Sequence, residues 1–247
     1  MKVLLISILA GAALLAQTPA APKAAPKGAT TKTGTAAPRP NPLLNPAGLR
    51  ARAPETFKVK FTTTHGDFVV EVHRDWAPLG ADRFYNLVRN RFFNNAAFFR
   101  YVPNFVVQFG LPADPAVARV WQDARIKDDP VKEHNVKGSL VFATAGPNTR
   151  TTQLFINLND NSRALDSQGF APFGTVVEGM DIVAGLYSAY GERPDQGAIT
   201  AQGKAYLDKN FPKLDTIKTT TVEAPEGAAP AAAPAKKAAP PAAPAKK

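Results

Sequence analysis

Phe98-Phe99-Arg100-Tyr101-Val102-Pro103-Asn104-Phe105-Val106-Val107-Gln108-Phe109-Gly110 is an aromatic and β-branched run, the composition that packs on a pleated, half-buried surface. Pro103-Asn104 cuts it once with a turn signal, so two strands meet at a bend here. Two groups inside the run do not belong to an ordinary core. Arg100, on the first strand, carries a guanidinium that is almost never fully buried without a partner, so it sits either in an ion pair or on a groove with its N–H donors available. Gln108 stands near the end of the second strand, and Phe105 and Val106 lie between the two. Taken alone, the stretch is a hydrophobic surface with one strong cationic donor and one neutral amide beside it.

Upstream, Phe57 to Thr64 alternates apolar and polar residues, His65-Gly66-Asp67 marks a tight turn, and Phe68 to His73 resumes the alternation, which predicts a β-hairpin. Phe84, Leu87 and Val88 recur at helical spacing and predict an amphipathic helix over Ala81 to Arg91. Downstream, Asp114-Pro115 is a helix start with a capping side chain and a proline at the first turn, and Val117, Val120 and Trp121 form one apolar face. The charged run from Lys127 to His134, with Asp128, Asp129 and Glu133, reads as a solvated loop. Strands are predicted over Gly138 to Ala145, Leu154 to Leu158 and Pro172 to Val177, a second helix over Gly179 to Tyr187, and a closing strand over Leu214 to Val222 that pairs with the first hairpin. Glu192 to Phe211 reads as an added excursion with a short helix over Ala201 to Asn210. Many short strands with two helices in one chain fit a mainly β fold, a closed antiparallel eight-stranded β-barrel capped by the two helices.

The chain has 247 residues, and its two ends read differently from this middle. Met1 to Ala16 holds a single Lys2 and then an apolar, small-residue run, so residues 1–20 read as a secretory signal peptide, too short for the roughly 20 apolar residues of a membrane span. Residues 21–54 are dominated by Ala, Pro, Thr, Gly and Lys, and residues 223–247 by Ala-Pro and Lys-Lys. Such segments cannot bury enough apolar surface to offset their ordering entropy, which predicts disordered N- and C-terminal tails around a domain over residues 55–222. The expected setting is exported, periplasmic or secreted, and the expected chain is a monomer without membrane insertion. With no cysteine, the core must hold the fold by itself. The formal charge of +10 invites a nucleic-acid reading, but nearly all of it lies in the first 54 and last 25 residues and about one unit remains on the domain, so no nucleic-acid partner is expected. His65, His73 and His134 are isolated, and no phosphate loop, dinucleotide fingerprint or Gly-x-Ser-x-Gly occurs, so neither metal nor cofactor is expected.

The order Phe98-x-Arg100-x-x-Pro103-x-Phe105-x-x-Gln108 is followed by Gly138-Ser139-Leu140-Val141-Phe142-Ala143-Thr144-Ala145-Gly146-Pro147-Asn148-Thr149, and that by Thr152-Gln153-Leu154-Phe155-Ile156-Asn157. With Phe173-Gly174-Thr175-Val176-Val177-Glu178-Gly179-Met180-Asp181, this series resembles the cyclophilin family of peptidyl-prolyl isomerases from about Phe57 to about Tyr187. The resemblance implies the barrel fold, proline-containing polypeptides as substrates, no cofactor, and a catalytic pair of Arg100 and Gln108. It implies a substrate groove lined by Phe105, Val106, Ala143, Thr144, Gln153, Phe155, Leu165 and Phe170. Departures from the family pattern fall on the rim: Phe99 and Phe170 stand where histidine is usual, Val106 where methionine is, Thr144 where asparagine is frequent, and Ala164 where tryptophan is frequent. The glycine-rich loop usual beside the groove is replaced within Leu111 to Lys137. The implied activity is X-Pro isomerisation with an altered peptide preference. The alternative is a module that holds proline-containing segments with little turnover.

Overall fold

The computed structural model describes residues 40–223, and within them a twelve-residue helix lies against one strongly curled antiparallel sheet. The expected signal peptide, the greater part of the expected linker and nearly all of the expected C-terminal tail lie outside the described residues. The strands are β1 (Thr56–Thr63), β2 (Asp67–His73), β3 (Arg100–Val102), β4 (Val106–Phe109), β5 (Ser139–Phe142), β6 (Leu154–Asn157), β7 (Pro172–Glu178) and β8 (Ile217–Val222). They run in the order β3-β4-β6-β5-β7-β2-β1-β8, with β8 on β1 as the hairpin pattern predicts. The turn at Pro103-Asn104 is present: Asn104 adopts φ 59° and the Phe105 amide donates to the Val102 carbonyl at 3.0 Å.

The sheet does not close into the expected barrel. Between its two outermost strands there is one isolated bridge, Ala97 to Thr216, flanked by bonds from Asn95 N to Ile217 O (2.7 Å), Ile217 N to Ala96 O (2.8 Å) and Phe98 N to Asp215 O (3.0 Å). The physical reason lies at β3, which is only three residues long, and whose Tyr101 amide turns to the Gly191 carbonyl at 3.1 Å instead of to β8. The result is a half-barrel with an excursion laid along its open seam.

The fill of the half-barrel follows from period-two alternation, which sends Phe57, Val59 and Phe61 from β1 and Phe68, Val70 and Val72 from β2 inward. Phe61 stacks on Phe68 at 4.6 Å, and Phe84, Phe93, Phe98, Phe109 and Phe173 complete an aromatic interior. Such rings bury large areas and dominate core energetics. The helix α1 (Pro78–Arg89) begins at Pro78, three residues before its expected start, and sends Phe84, Leu87 and Val88 into this core.

Six α-helical segments, not two, are present among the described residues. α2 (Pro115–Trp121) starts as predicted, with the Asp114 side chain accepting from Ala116 N at 2.8 Å and Pro115 in the first turn. α3 (Ser162–Leu165) has no counterpart in the sequence expectation, and α4 (Met180–Ala184) ends at Gly185 instead of reaching Tyr187. The excursion holds α5 (Gln196–Gln202) and α6 (Lys204–Asn210), broken at Gly203 with φ 60°, where an added Cβ would sit 2.1 Å from the Ala113 carbonyl.

Two further expectations are corrected. Residues 40–54 are not a free linker. Leu43 and Ala53 are buried, the Trp121 indole N–H donates to the Leu43 carbonyl at 2.8 Å, and Ala51 and Ala53 amides reach Asn86 Oδ1 and Asp82 Oδ1 at 3.0 and 2.8 Å. The charged run from Lys127 is not uniformly solvated either, because Asp129 is buried. Its carboxylate accepts from the Leu79 and Gly80 amides at 3.0 and 2.9 Å and from Arg150 Nη1 and Nη2 at 3.1 Å. Ala77 offers α1 no side-chain cap, so this distant carboxylate satisfies the first-turn amides and places a negative charge at the helix N-terminus. Arg150 also donates to the Lys127 carbonyl, while its Nε lies 3.2 Å from Asp128 Oδ1 in a geometry too bent for a hydrogen bond.

Candidate functional site

Strand register decides which side chains share a face. Arg100 pairs with Gln108 across β3 and β4, Gln108 with Phe155 across β4 and β6, and Phe155 with Val141 across β6 and β5. Directly paired residues point to the same side of a sheet, so one row runs Arg100, Gln108, Phe155, Val141 over four strands. Val106 joins it from two residues along β4. This face is separate from the aromatic interior: Val106, Val141, Phe155 and Leu165 form their own buried cluster, with Phe105, Ala143 and Phe170 against it.

A cleft of about 170 Å3 opens on that cluster, lined by Arg100, Phe105, Val106, Gln108, Ala143, Thr144, Phe155, Leu165 and Phe170. Nine of the ten residues singled out from the sequence therefore meet in one place. The tenth, Gln153, stands behind them and accepts from Gln108 Nε2 at 2.8 Å. Phe155 and Phe170 meet edge to face at 5.6 Å. The Thr144 hydroxyl is engaged by Gly146 O and by Thr149 Oγ1 at 2.8 Å, so it shapes its turn instead of pointing freely at the cleft. A wider hollow of about 650 Å3 lies between residues 45–51 and 123–126, but none of the groove residues lines it. No residue of the replaced stretch Leu111 to Lys137 lines the cleft; Asp128 reaches only an adjoining hollow of about 440 Å3 beside Thr144 and Phe170.

The Arg100 guanidinium is neither sealed inside nor free. Its side chain is 26% exposed, Nη1 lies 3.2 Å from Gln108 Oε1, and Nε and Nη2 lie 2.7 and 2.6 Å from Glu192 Oε1. The ion-pair and groove readings of this residue are both realised. Sequence reasoning missed Glu192, which sits 92 positions away in the excursion and carries no periodic signal.

It missed a buried amide chain as well. Asn161 Nδ2 donates to the Phe105 carbonyl at 2.9 Å and to Asn157 Oδ1 at 2.7 Å. Asn157 Nδ2 donates to Ser139 Oγ at 2.8 Å and to Asn135 Oδ1 at 3.2 Å. Asn135 Nδ2 in turn donates to the Phe170 carbonyl at 2.9 Å and to Asp166 Oδ1 at 2.8 Å. Two aromatic walls of the cleft thus hang from one satisfied polar network, which fixes their separation. At its outer end Asp166 meets the His134 ring at 2.7 Å. Burial pushes the Asp166 carboxyl up, but hydrogen bonds from Asn135 and His134 outweigh it and leave the pKa lowered; the same carboxylate raises that of His134. Among the described residues no cluster of three or more His, Asp and Glu side chains stands ready for a metal ion.

Residues 58–202 match the family model described as cyclophilin type peptidyl-prolyl cis-trans isomerase/CLD. A peptidyl-prolyl cis-trans isomerase of Acinetobacter baylyi is 34% identical over 140 residues, 55% of this chain and 74% of that one. Peptidyl-prolyl cis-trans isomerase B of Escherichia coli is 31% identical over 167 residues, 64% of this chain and 94% of that one. The crystal structure of a Cryptosporidium parvum cyclophilin type isomerase superposes with a TM-score of 0.51 at 18% identity, covering 69% of this chain and 99% of that one, a likeness of fold.

Proposed function

The chain belongs to the cyclophilin-type peptidyl-prolyl cis-trans isomerases, and we propose that it accelerates X-Pro rotation in exported proteins by offering the Arg100 guanidinium to the twisted amide. The barrier to be lowered is about 18 to 20 kcal/mol, set by the partial double bond of the planar amide. In the rotated state the proline nitrogen regains its lone pair, and a donor that binds this state better than either planar form speeds the exchange. A guanidinium stays charged at any working pH, so no base is required. Each tenfold in rate takes about 1.4 kcal/mol of such preference, within the reach of one charge-assisted hydrogen bond beside an apolar surface. Phe105, Val106, Phe155 and Leu165 grip the ring, Gln108 holds the substrate backbone, and Gln153 keeps Gln108 in place.

One observation carries this reading: among the described residues the one cation lining the cleft, Arg100, stands at the end of the cross-strand row that runs on to Phe155 and Val141. The apolar run after Lys2 supports export, and a single domain over residues 55–222 is read as acting as a monomer. Isomer exchange on a short X-Pro peptide, measured with the full chain and with Arg100→Ala, tests it. We expect kcat/KM to fall by about 10² to 10³ while the circular dichroism spectrum is unchanged. An Arg100→Ala protein as fast as its parent ends the mechanism, and a parent that binds the peptide without turning it over favours the holding module. Fractionation of cells making the full chain tests export.

A further inference from the structure

The excursion that covers the open seam also reaches the catalytic arginine. Its turn is pinned to the fold by main-chain and hydroxyl bonds that do not involve Glu192: Tyr101 N to Gly191 O at 3.1 Å, Tyr101 Oη to Ala184 O at 2.8 Å, and Tyr187 N to Asp215 Oδ2 at 2.8 Å. Tyr190 packs on Tyr187 at 4.9 Å and on Phe211 at 5.1 Å. The neighbouring cation, Arg193, is occupied by its own turn through Tyr190 O and Ala189 O and does not compete for the carboxylate. Glu192 is thus delivered to one place by its surroundings.

There it takes the lateral edge of Arg100, with one oxygen 2.7 Å from Nε and 2.6 Å from Nη2. Gln108 takes one N–H of Nη1 at 3.2 Å, and Gln108 is itself held by Gln153 at 2.8 Å. Neither contact uses up the guanidinium, since Nη1 and Nη2 each carry two N–H groups and donors remain on the terminal nitrogens. With Glu192 60% exposed, the pair contributes little to stability, so its value to the protein lies in where it points the fork.

We propose that Glu192 is a positioning residue for the isomerase reaction, clamping the lateral edge of Arg100 so that its terminal N–H groups face the proline nitrogen. This rests on the arginine mechanism given above. A long side chain freed on one side wanders by an ångström or more, and misplacement on that scale costs rate without costing ground-state binding.

The test compares the full chain with Glu192→Ala and Glu192→Gln, each also in an Arg100→Lys background, on the X-Pro peptide. Glu192→Ala should lower kcat by about tenfold with KM within about twofold, and Glu192→Gln, which keeps the acceptor oxygen, should stay within about threefold of the parent. In the Arg100→Lys background the alanine change should add nothing, because the lateral fork is gone. Exchange of the Arg100 Nε–H with water, followed by nitrogen NMR, should be slow in the parent and Glu192→Gln and fast in Glu192→Ala, whether or not the peptide is turned over. A parent without turnover would end the arginine mechanism and leave this exchange comparison to decide on Glu192. The proposal is overturned by equal Nε–H exchange in all three proteins, by Glu192→Ala turning over as fast as the parent or faster, by glutamine failing as alanine does, or by an undiminished loss in the lysine background.

Discussion

The floor of the groove and the segments wrapped around it are held in different ways. Arg100, Gln108, Phe155 and Val141 stand in line because four strands are paired in register, and many main-chain bonds share that task. The stretches 40–54, 123–137 and 160–170 lean on side chains that bridge long gaps in the sequence, Asn86, Asp129 and Asp166 respectively. Main-chain ladders tolerate the loss of one side chain, whereas a bridge made by one carboxylate does not. Peptide turnover should therefore survive many changes in the floor's neighbours, while the wrapping should come loose one residue at a time.

The strongest way to break this contrast is Asp129→Ala. It strips the α1 amides of their acceptor and leaves the Arg150 guanidinium, 4% exposed, with only the more exposed Asp128 carboxylate beside its Nε. A loss of about 2 to 4 kcal/mol in urea unfolding is expected, the cost of removing one partner of a buried ion pair together with the acceptor of two helix amides. A loss under about 1 kcal/mol would show that the loop is held by something other than this carboxylate.

A smaller effect is expected from replacing residues 40–53 with a Gly/Ser stretch of equal length. Leu43 burial, the Trp121 bond and the Asn86 and Asp82 contacts together contribute about 2 to 4 kcal/mol. An unchanged unfolding midpoint would return this stretch to the linker.

The smallest effect belongs to His134→Gln, and its size depends on pH. The raised pKa of His134 gives a contribution that is complete below the unfolded ring's 6.5 and is lost as pH rises through the folded value. The lowered pKa of Asp166 gives one present above the unfolded carboxyl's 3.8 and lost as pH falls through the folded value. The pair therefore stabilises between those two ordinary values. His134→Gln should lower the urea midpoint near about pH 5.5 and leave it unchanged near about pH 9. Equal differences at both would mean that His134 acts by packing alone.

The same division explains what could be read in advance. Alternation along Phe57 to His73 and the β-branched run through Val106 and Val107 carry strand identity in the residues themselves, and the floor followed from them. Barrel closure did not, because it depends on whether three residues at β3 suffice to meet β8, which no local pattern encodes. Residues 40–54 have the composition of a disordered segment, yet buried Leu43 and Ala53 and the bonds to Asn86 and Asp82 anchor them. Asp129 and Glu192 look like any surface acid, since their partners lie 49 and 92 positions away. The buried asparagines Asn135 and Asn157 were likewise silent, because an amide's value depends on finding every partner at once.

The Gly191 carbonyl that accepts from Tyr101 has one more effect. An uncovered strand margin is a template on which a second polypeptide can add itself. By occupying the middle of β3 with its own backbone, and by laying Asn95 to Phe98 over the start of β8, the molecule blunts that template on both margins of its sheet.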